Sequence, residues 1–156
     1  MSQEQTHWCW AAVAAAVGAH VTGTGPVRQC DIAAVVLNAP NCCANPGASN
    51  LSAGVEDALA AVQVGARVLT SAGFEFSHLV QEVVHRRLPV GARVVDTNGV
   101  AHVVLLVGCD QVAETVVCAD PWGTVGLPAP RYRMPFLTMK NSYGGWGACS
   151  HVCVIG

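Results

Sequence analysis

A cysteine between two tryptophans carries the most chemical information in this sequence. Cys9 lies between Trp8 and Trp10 and directly precedes a small-residue stretch, 11–19, that predicts a helix beginning at about Cys9. A helix N-terminus presents the positive end of its dipole and unpaired backbone N–H groups, and both favour the thiolate form of a cysteine placed there. The pattern predicts a nucleophilic thiol at Cys9, and a buried structural cysteine is the alternative.

Three further residues could supply the other groups that a cysteine hydrolase needs. His102 heads an apolar run and can act as a base and then as an acid. Asp120 precedes Pro121, which restricts it to an extended conformation, and its carboxylate can orient the imidazole and stabilise the imidazolium. Gln3, six residues before Cys9, can form an oxyanion hole together with the backbone N–H of Cys9.

Each of these predictions has a competitor in the sequence. A histidine in an apolar strand can be a satisfied core residue, and Asp120 could be part of a simple Asp-Pro turn. Asp96 and Asp110 border turn signals and are weaker alternatives to Asp120, and Gln5 competes with Gln3 for the oxyanion role. An N-terminal segment as close to the chain start as Gln3 could also be mobile.

The composition limits the class of protein. The chain has 156 residues, of which 52% are hydrophobic and 12% charged, so we predict a single globular domain over 1–156. A net charge of −2 gives no reason to expect nucleic acid or an anionic membrane as a partner. The apolar run 8–20 is too short to span a bilayer, and no signal peptide opens the chain. We expect a specialised secretion system, a removed signal or a longer parent chain if the protein is exported.

Eight cysteines are more than a reducing cytosol usually tolerates. We predict one or two disulfides, with Cys30 bonded to Cys42 or to Cys43 as the favoured pairing, because the loop between them is short. No two CxxC pairs stand at the spacing of a zinc ribbon, so we expect no metal and no other cofactor.

Helical patterns occupy the first half of the chain and strand patterns the second. The predicted helices cover 9–19, 26–38, about 53–62 with Ser52 as N-cap, and 78–87 with Ser77 as N-cap. The predicted strands cover 90–96, 101–108, 115–119, 132–139 and 151–155. Asn98-Gly99 between the first two predicts a hairpin. This order predicts an α+β fold, with an N-terminal helical half packed against a C-terminal antiparallel β-sheet.

Several segments of the chain resemble one family. The sequences QEQTHWCWAAVAAAV, RQCDIA, NCCANP and AHVVLLVG with VVCADPWG look like the compact bacterial branch of papain-like cysteine proteases, which includes avirulence-type effectors and peptidase domains of secreted toxins. The resemblance runs from Gln3 to about Gly123. It implies a short papain fold with an active-site cleft between its halves, a triad of Cys9, His102 and Asp120, and Gln3 as oxyanion donor. The tryptophans near these motifs are candidates to line the cleft: Trp8, Trp10 and Trp122.

The chain departs from that family in two places. Ser49-Asn50 stands where relatives often have a cysteine before the asparagine, and the tail beyond Gly123 has no clear counterpart. Segment 139–147 looks like the run in plant and lysosomal papains whose asparagine orients the histidine. However, Asn141 follows His102 by 39 residues, whereas Asp120 occupies the earlier slot that the papain order requires. We therefore predict that Asp120 orients His102.

The predicted function is a secreted bacterial effector or toxin-type endopeptidase that cleaves a target protein through an acyl-enzyme intermediate. Its partners would be a protein or peptide substrate and, in the producing cell, an immunity protein or inhibitor. A peptidoglycan amidase or peptidase, a deamidase and a transglutaminase could use the same triad and are the alternatives. A disulfide-braced binding module is the alternative outside catalysis, and a disulfide at Cys9 would favour it.

Overall fold

The computed structural model describes residues 1–156, and the chain forms two compact units. The helical unit comprises Met1–Ala66 and Pro121–Pro130, and the sheet unit comprises Arg67–Asp120 and Arg131–Gly156. Helices predominate in the N-terminal half, and most strands of a six-stranded antiparallel sheet come from the C-terminal half. The predicted α+β class is therefore confirmed.

Three helices build the helical unit: α1 (Cys9–Thr22), α2 (Gln29–Val36) and α3 (Val55–Ala61). Helix α1 begins at the predicted residue and runs three residues beyond the predicted end, to a left-handed Gly23 (φ 68°). Helix α1 approaches the end of α3 closely at Gly18, where a Cβ would lie 3.3 Å from Val62. Helix α3 starts two residues later than predicted, with Gly54 rather than Ser52 as its N-cap residue.

A disulfide ties α2 to the loop that follows it. Cys30 is bonded to Cys43, with 4.9 Å between the Cα atoms, which confirms one of the two predicted pairings. Cys42 instead packs in the interior, at 1% exposure. The bond closes a 13-residue separation, and a loop of that size contributes about 3 kcal/mol by restricting the unfolded chain.

The sheet has the strand order β1-β6-β2-β3-β4-β5. Its strands are β1 (Ala66–Thr70), β2 (Val90–Asp96), β3 (Ala101–Asp110), β4 (Thr115–Ala119), β5 (Arg131–Pro135) and β6 (Gly147–Ile155). Strands β2 and β4 have the predicted bounds, and β3 and β6 are longer than predicted. Gly99 has a φ of 82° in the β2–β3 turn, as a tight hairpin requires. The central strands β2 and β3 supply much of the core of this unit, including Val90, Val94, Val104 and Leu106.

Two parts of the sheet unit differ from the sequence prediction. Strand β1 was not predicted, because it is short and mostly exposed and therefore lacks an apolar pattern. The predicted strand at 132–139 is wrong in its second half, where the chain turns into helix α5 (Phe136–Asn141). Pro135 immediately precedes α5, and Phe136 and Met139 are buried three residues apart, which is helical spacing.

The predicted helix at 78–87 is also corrected. It begins earlier, as helix α4 (Phe76–Val80), and continues as a π-helical turn, Gln81–His85. Glu75 rather than Ser77 is the N-cap of α4: the Glu75 carbonyl accepts from the His78 N–H at 3.0 Å, and the Glu75 N–H donates to His78 Nδ1 at 3.0 Å. No helix in the protein combines the length and apolar character needed to cross a membrane.

Candidate active site

Cys9 is the first residue of α1 and carries a free thiol. The first bond inside the helix runs from the Ala12 N–H to the Trp8 carbonyl at 2.9 Å, so the N–H groups of the residues between them have no acceptor within the helix. The Cys9 side chain therefore lies at the positive end of a 14-residue helix dipole. At 7% exposure it is largely shielded from solvent. A reduced Cys9 removes the condition that would have favoured a binding module.

The two tryptophans beside Cys9 anchor the start of α1. Trp8 Nε1 donates to the Ser49 carbonyl at 2.8 Å, and Trp10 Nε1 donates to the Leu51 carbonyl at 3.1 Å. Both side chains are buried, at 0% and 1% exposure. Their predicted place on a cleft wall is therefore corrected: indoles of this size are driven into the interior once their N–H groups find acceptors. They hold Cys9 in position and present no surface to a substrate.

Hydrogen bonds hold Gln3 and its neighbours against the rest of the helical unit. The Gln3 N–H donates to the Pro121 carbonyl at 2.8 Å. Gln29 of α2 clamps both neighbours of Gln3, because its Oε1 accepts from the Glu4 N–H at 2.9 Å and its Nε2 donates to the Ser2 carbonyl at 2.8 Å. Gln29 is fully buried, which is unusual for a glutamine, and the sequence prediction missed it.

The side-chain amide of Gln3 is engaged in its own turn. Its Nε2 donates to the Gln5 carbonyl at 2.9 Å and to the Thr6 carbonyl at 2.8 Å, while Oε1 is buried without a hydrogen-bond partner. An oxyanion would have to compete with these carbonyls for an amide proton. Asn50 fixes the same turn, accepting from the His7 N–H at 2.8 Å and donating to Thr6 Oγ1 at 2.7 Å.

An open cavity of about 240 Å³ adjoins Gln3 in the helical unit. Trp122 lies on its wall and is 63% exposed, so this is the one of the three candidate tryptophans that faces solvent. Gly123 also lines the cavity, and a Cβ there would lie 2.8 Å from both Pro130 Cδ and Ser2 Oγ. The backbone after Trp122 therefore has no room for a side chain.

His102 and Asp120 meet inside the sheet unit. His102 is the second residue of β3, and Asp120 directly follows β4, the strand paired with β3. His102 Nε2 lies 2.7 Å from Asp120 Oδ1, and the two residues are 9% and 8% exposed. A buried carboxylate is costly unless it is hydrogen-bonded, and here it fixes the imidazole tautomer with Nε2 protonated. Proton exchange with a thiol would then use the other ring nitrogen, Nδ1.

The competing acids lie elsewhere and have structural roles. Asp96 Oδ1 accepts from the N–H groups of Asn98 and Val100 at 2.8 Å each and so holds the β2–β3 turn. Asp110 Oδ1 accepts from the N–H groups of Val112 and Ala113, at 3.0 and 3.1 Å. These bonds lower the pKa of the Asp110 carboxyl. Asn141 is an exposed residue at the end of α5.

Two residues that the sequence prediction missed complete the surroundings of this pair. Tyr143 Oη donates to Asp120 Oδ2 at 2.7 Å. The Trp146 ring stands edge-on to the His102 ring, with 6.0 Å between centroids and 76° between planes. Burial, and then the bond to Asp120, raise the pKa of Tyr143 far above its usual range, so it remains a hydrogen-bond donor. Both residues lie in the segment 139–147, in which the sequence analysis considered only Asn141 as a partner of His102.

Two thiols of the sheet unit, Cys118 and Cys149, are kept protonated by burial. Burial raises the pKa of Cys118 to about 12 and that of Cys149 to about 11. Both thiols are thus protonated at neutral pH and poor nucleophiles. Cys30 and Cys43 lie beside Asp31, a grouping that could bind a metal, but their sulfurs are consumed in the disulfide.

These neutral thiols predict a loss of stability in alkali. Unfolded cysteines ionise near pH 8.5, whereas folded Cys118 and Cys149 keep their protons to higher pH. The unfolded chain thus binds fewer protons, and the free energy of unfolding falls from about pH 8.5 to 11, by about 1.4 kcal/mol per pH unit for each thiol. Tyr143 adds to the fall above about pH 10. Urea unfolding of the wild type and of the double variant Cys118→Ala/Cys149→Ala, repeated between pH 8 and pH 11, measures this fall. If the free energy of unfolding falls equally with pH in both proteins, the two thiols are not its source.

A family model described as papain-like cysteine protease AvrRpt2 matches residues 1–139 of the chain. The matched segment contains Gln3, Cys9, His102 and Asp120, whereas Tyr143 and Trp146 lie beyond its end. A comparison with curated proteins finds no significant match.

Proposed function

The chain belongs to the family of papain-like cysteine proteases described by AvrRpt2, and on that premise we propose that Cys9, His102 and Asp120 are its catalytic triad. The observation that carries the proposal is the buried contact of 2.7 Å between His102 Nε2 and Asp120 Oδ1. A histidine oriented by a carboxylate is the base that a thiol nucleophile requires. Cys9 is the thiol placed at a helix N-terminus, the position that favours a thiolate.

The pairing of Cys9 with His102 is supported by family membership and by the order of the motifs. Each residue is held within its own unit, Cys9 by the anchors of α1 and His102 by Asp120. In the proposed resting state the Cys9 proton resides on His102 Nδ1, which gives a thiolate and an imidazolium. The Asp120 carboxylate stabilises that imidazolium through Nε2.

The reaction follows from these roles. The Cys9 thiolate attacks the carbonyl carbon of the scissile peptide bond, and the carbonyl oxygen becomes an oxyanion. The Cys9 N–H and a Gln3 amide proton, drawn from its bonds to the Gln5 and Thr6 carbonyls, would stabilise that charge. His102 donates its Nδ1 proton to the leaving amine as the C–N bond breaks. His102 then takes a proton from water, whose oxygen attacks the thioester, and the acid product and free Cys9 are released.

We further propose that the enzyme is a bacterial effector or toxin-type endopeptidase that acts outside the producing cell on a protein target. The family description names AvrRpt2, and the sequence motifs resemble avirulence-type effector proteases. The Cys30–Cys43 disulfide is typical of proteins that pass through an oxidising compartment. A protease of this kind requires protection of the producing cell, so an immunity protein or inhibitor is its expected partner. Nucleic acid and membranes are not expected partners.

The reaction class can be tested without knowledge of the natural target. The protein is incubated with a peptide library derived from a proteome, in water enriched in ¹⁸O, and the products are analysed by mass spectrometry. A protease gives new carboxyl termini that carry ¹⁸O, and Cys9→Ala gives none. Glutamine residues converted to glutamate would identify a deamidase, and cross-links to added amines a transglutaminase. Cleavage of peptidoglycan fragments, with the peptide library left intact, would identify a cell-wall enzyme. Any of these alternative results would overturn the proposal.

A further inference from the structure

We propose that Tyr143 is a positioning residue of the reaction, which holds the Asp120 carboxylate in the orientation that His102 needs. The inference rests on the proposed function of His102 and Asp120. The family match gives no role to Tyr143, because the matched segment ends at residue 139.

The Asp120 carboxylate is held at both of its oxygens. Oδ1 contacts His102 Nε2 and Oδ2 accepts the Tyr143 hydroxyl proton, each at 2.7 Å. A carboxylate with only one strong bond can rotate about its Cβ–Cγ axis and weaken that bond, whereas two bonds on opposite oxygens fix its plane. Asp120 is 8% exposed and Tyr143 is also 8% exposed, so water cannot readily replace the phenol. Loss of the hydroxyl would leave a buried oxygen without this donor.

The chain is shaped to bring Tyr143 to this place. Its backbone φ is 26°, in the left-handed region that side chains rarely adopt, and Gly144 and Gly145 follow with φ values of 65° and 90°. Such conformations persist where the surroundings enforce them, and they are common at functional sites. Gly147 lies close against β2 at the end of this turn, because a Cβ there would collide with the Val95 carbonyl oxygen.

Trp146 belongs to the same device. It comes three residues after Tyr143. The phenol of Tyr143 contacts Asp120, and the Trp146 ring lies nearly perpendicular to the His102 ring. Together they cover the pair from the C-terminal segment of the chain.

The test compares Tyr143→Phe with Tyr132→Phe, which alters the only other tyrosine, an exposed residue of β5. The readout is the rate at which iodoacetamide labels Cys9 at pH 6, mapped by mass spectrometry, because ordinary thiols are protonated and slow there. Tyr143→Phe is expected to slow labelling about 10-fold, as the loss of one bond to a charged group predicts. Tyr132→Phe is expected to match the wild type.

A double-mutant cycle with Asp120→Asn separates positioning from simple destabilisation. If Tyr143 acts through Asp120, then Tyr143→Phe changes the rate less than about 2-fold once Asp120 is asparagine. An unchanged rate in the single variant, or the same 10-fold loss in both backgrounds, would overturn the inference. The labelling rate of Cys9 in His102→Ala is measured in parallel. If that rate equals the wild-type rate, the proposed function itself fails. If labelling is slow in His102→Ala but normal in Tyr143→Phe, only the inference about Tyr143 is overturned.

Discussion

Cys9→Ala is expected to abolish peptide hydrolysis, with a fall in kcat/KM of about 10⁵-fold or more. The reason is that the proposed reaction passes through a thioester on Cys9 Sγ. Cys118 and Cys149 are buried and neutral at working pH, and Cys30 and Cys43 are bonded to each other. Removal of the nucleophile from a triad costs about as much as removal of the whole triad. Initial rates on a cleaved library peptide measure the loss.

The matched control for this variant is Cys109→Ala. Cys109 is a free, partly buried thiol near the end of β3 and has no part in the proposed site. It should retain full activity, and mass spectrometry should detect an acyl-enzyme in Cys109→Ala and in the wild type but not in Cys9→Ala. Residual hydrolysis by Cys9→Ala within about 10-fold of the wild type would exclude Cys9 as the nucleophile.

His102→Ala is expected to lower kcat by about 10² to 10⁴-fold. Without the imidazole, Cys9 has no partner to take its proton and the leaving amine has no acid to protonate it, and general acid–base catalysis is worth that amount. KM should change little, because His102 acts on the reacting atoms rather than on the rest of the substrate. Steady-state kinetics on the same peptide give both parameters.

Two variants keep this experiment interpretable. His102→Asn retains a side-chain N–H that can reach Asp120, so it should fold even if the exposed carboxylate oxygen destabilises His102→Ala. It should be as inactive as the alanine variant, because an amide cannot exchange protons at this pH. His85→Ala changes an exposed histidine of the same unit and should retain wild-type activity. An active His102→Asn would show that the histidine is structural.

The residues nearest to the chemistry were predictable from the sequence because local rules govern them. Cys9 heads a helix that small residues and a glycine C-cap define, and α1 begins where that pattern predicts. Strands β2 and β4 were predicted to the residue, since valine-rich runs between turn signals leave little choice. Asp120 follows such a strand and precedes Pro121, which restricts the Asp120 backbone to an extended conformation.

The residues that hold those groups could not be read from the sequence, because their roles depend on contacts between distant segments. Gln29 clamps the N-terminal segment through backbone groups about 25 residues away, and nothing in its own neighbourhood signals this. Tyr143 reaches Asp120 across 23 residues only because an unusual left-handed turn directs it there. Trp8 and Trp10 are candidates for the cleft wall on the sequence, but their N–H groups find acceptors about 40 residues away, at Ser49 and Leu51, and the rings are buried.

The central claim is that Cys9 and His102 form a thiolate–imidazolium pair, and the pH dependence of Cys9 alkylation tests it most directly. Iodoacetamide labelling is followed from pH 5 to pH 9 in the wild type and in His102→Ala, with every cysteine mapped by mass spectrometry. We predict that wild-type Cys9 is labelled rapidly at pH 6, whereas Cys9 in His102→Ala reacts only as the pH approaches that at which ordinary thiols ionise. Identical profiles that rise only above pH 8 in both proteins would contradict the claim.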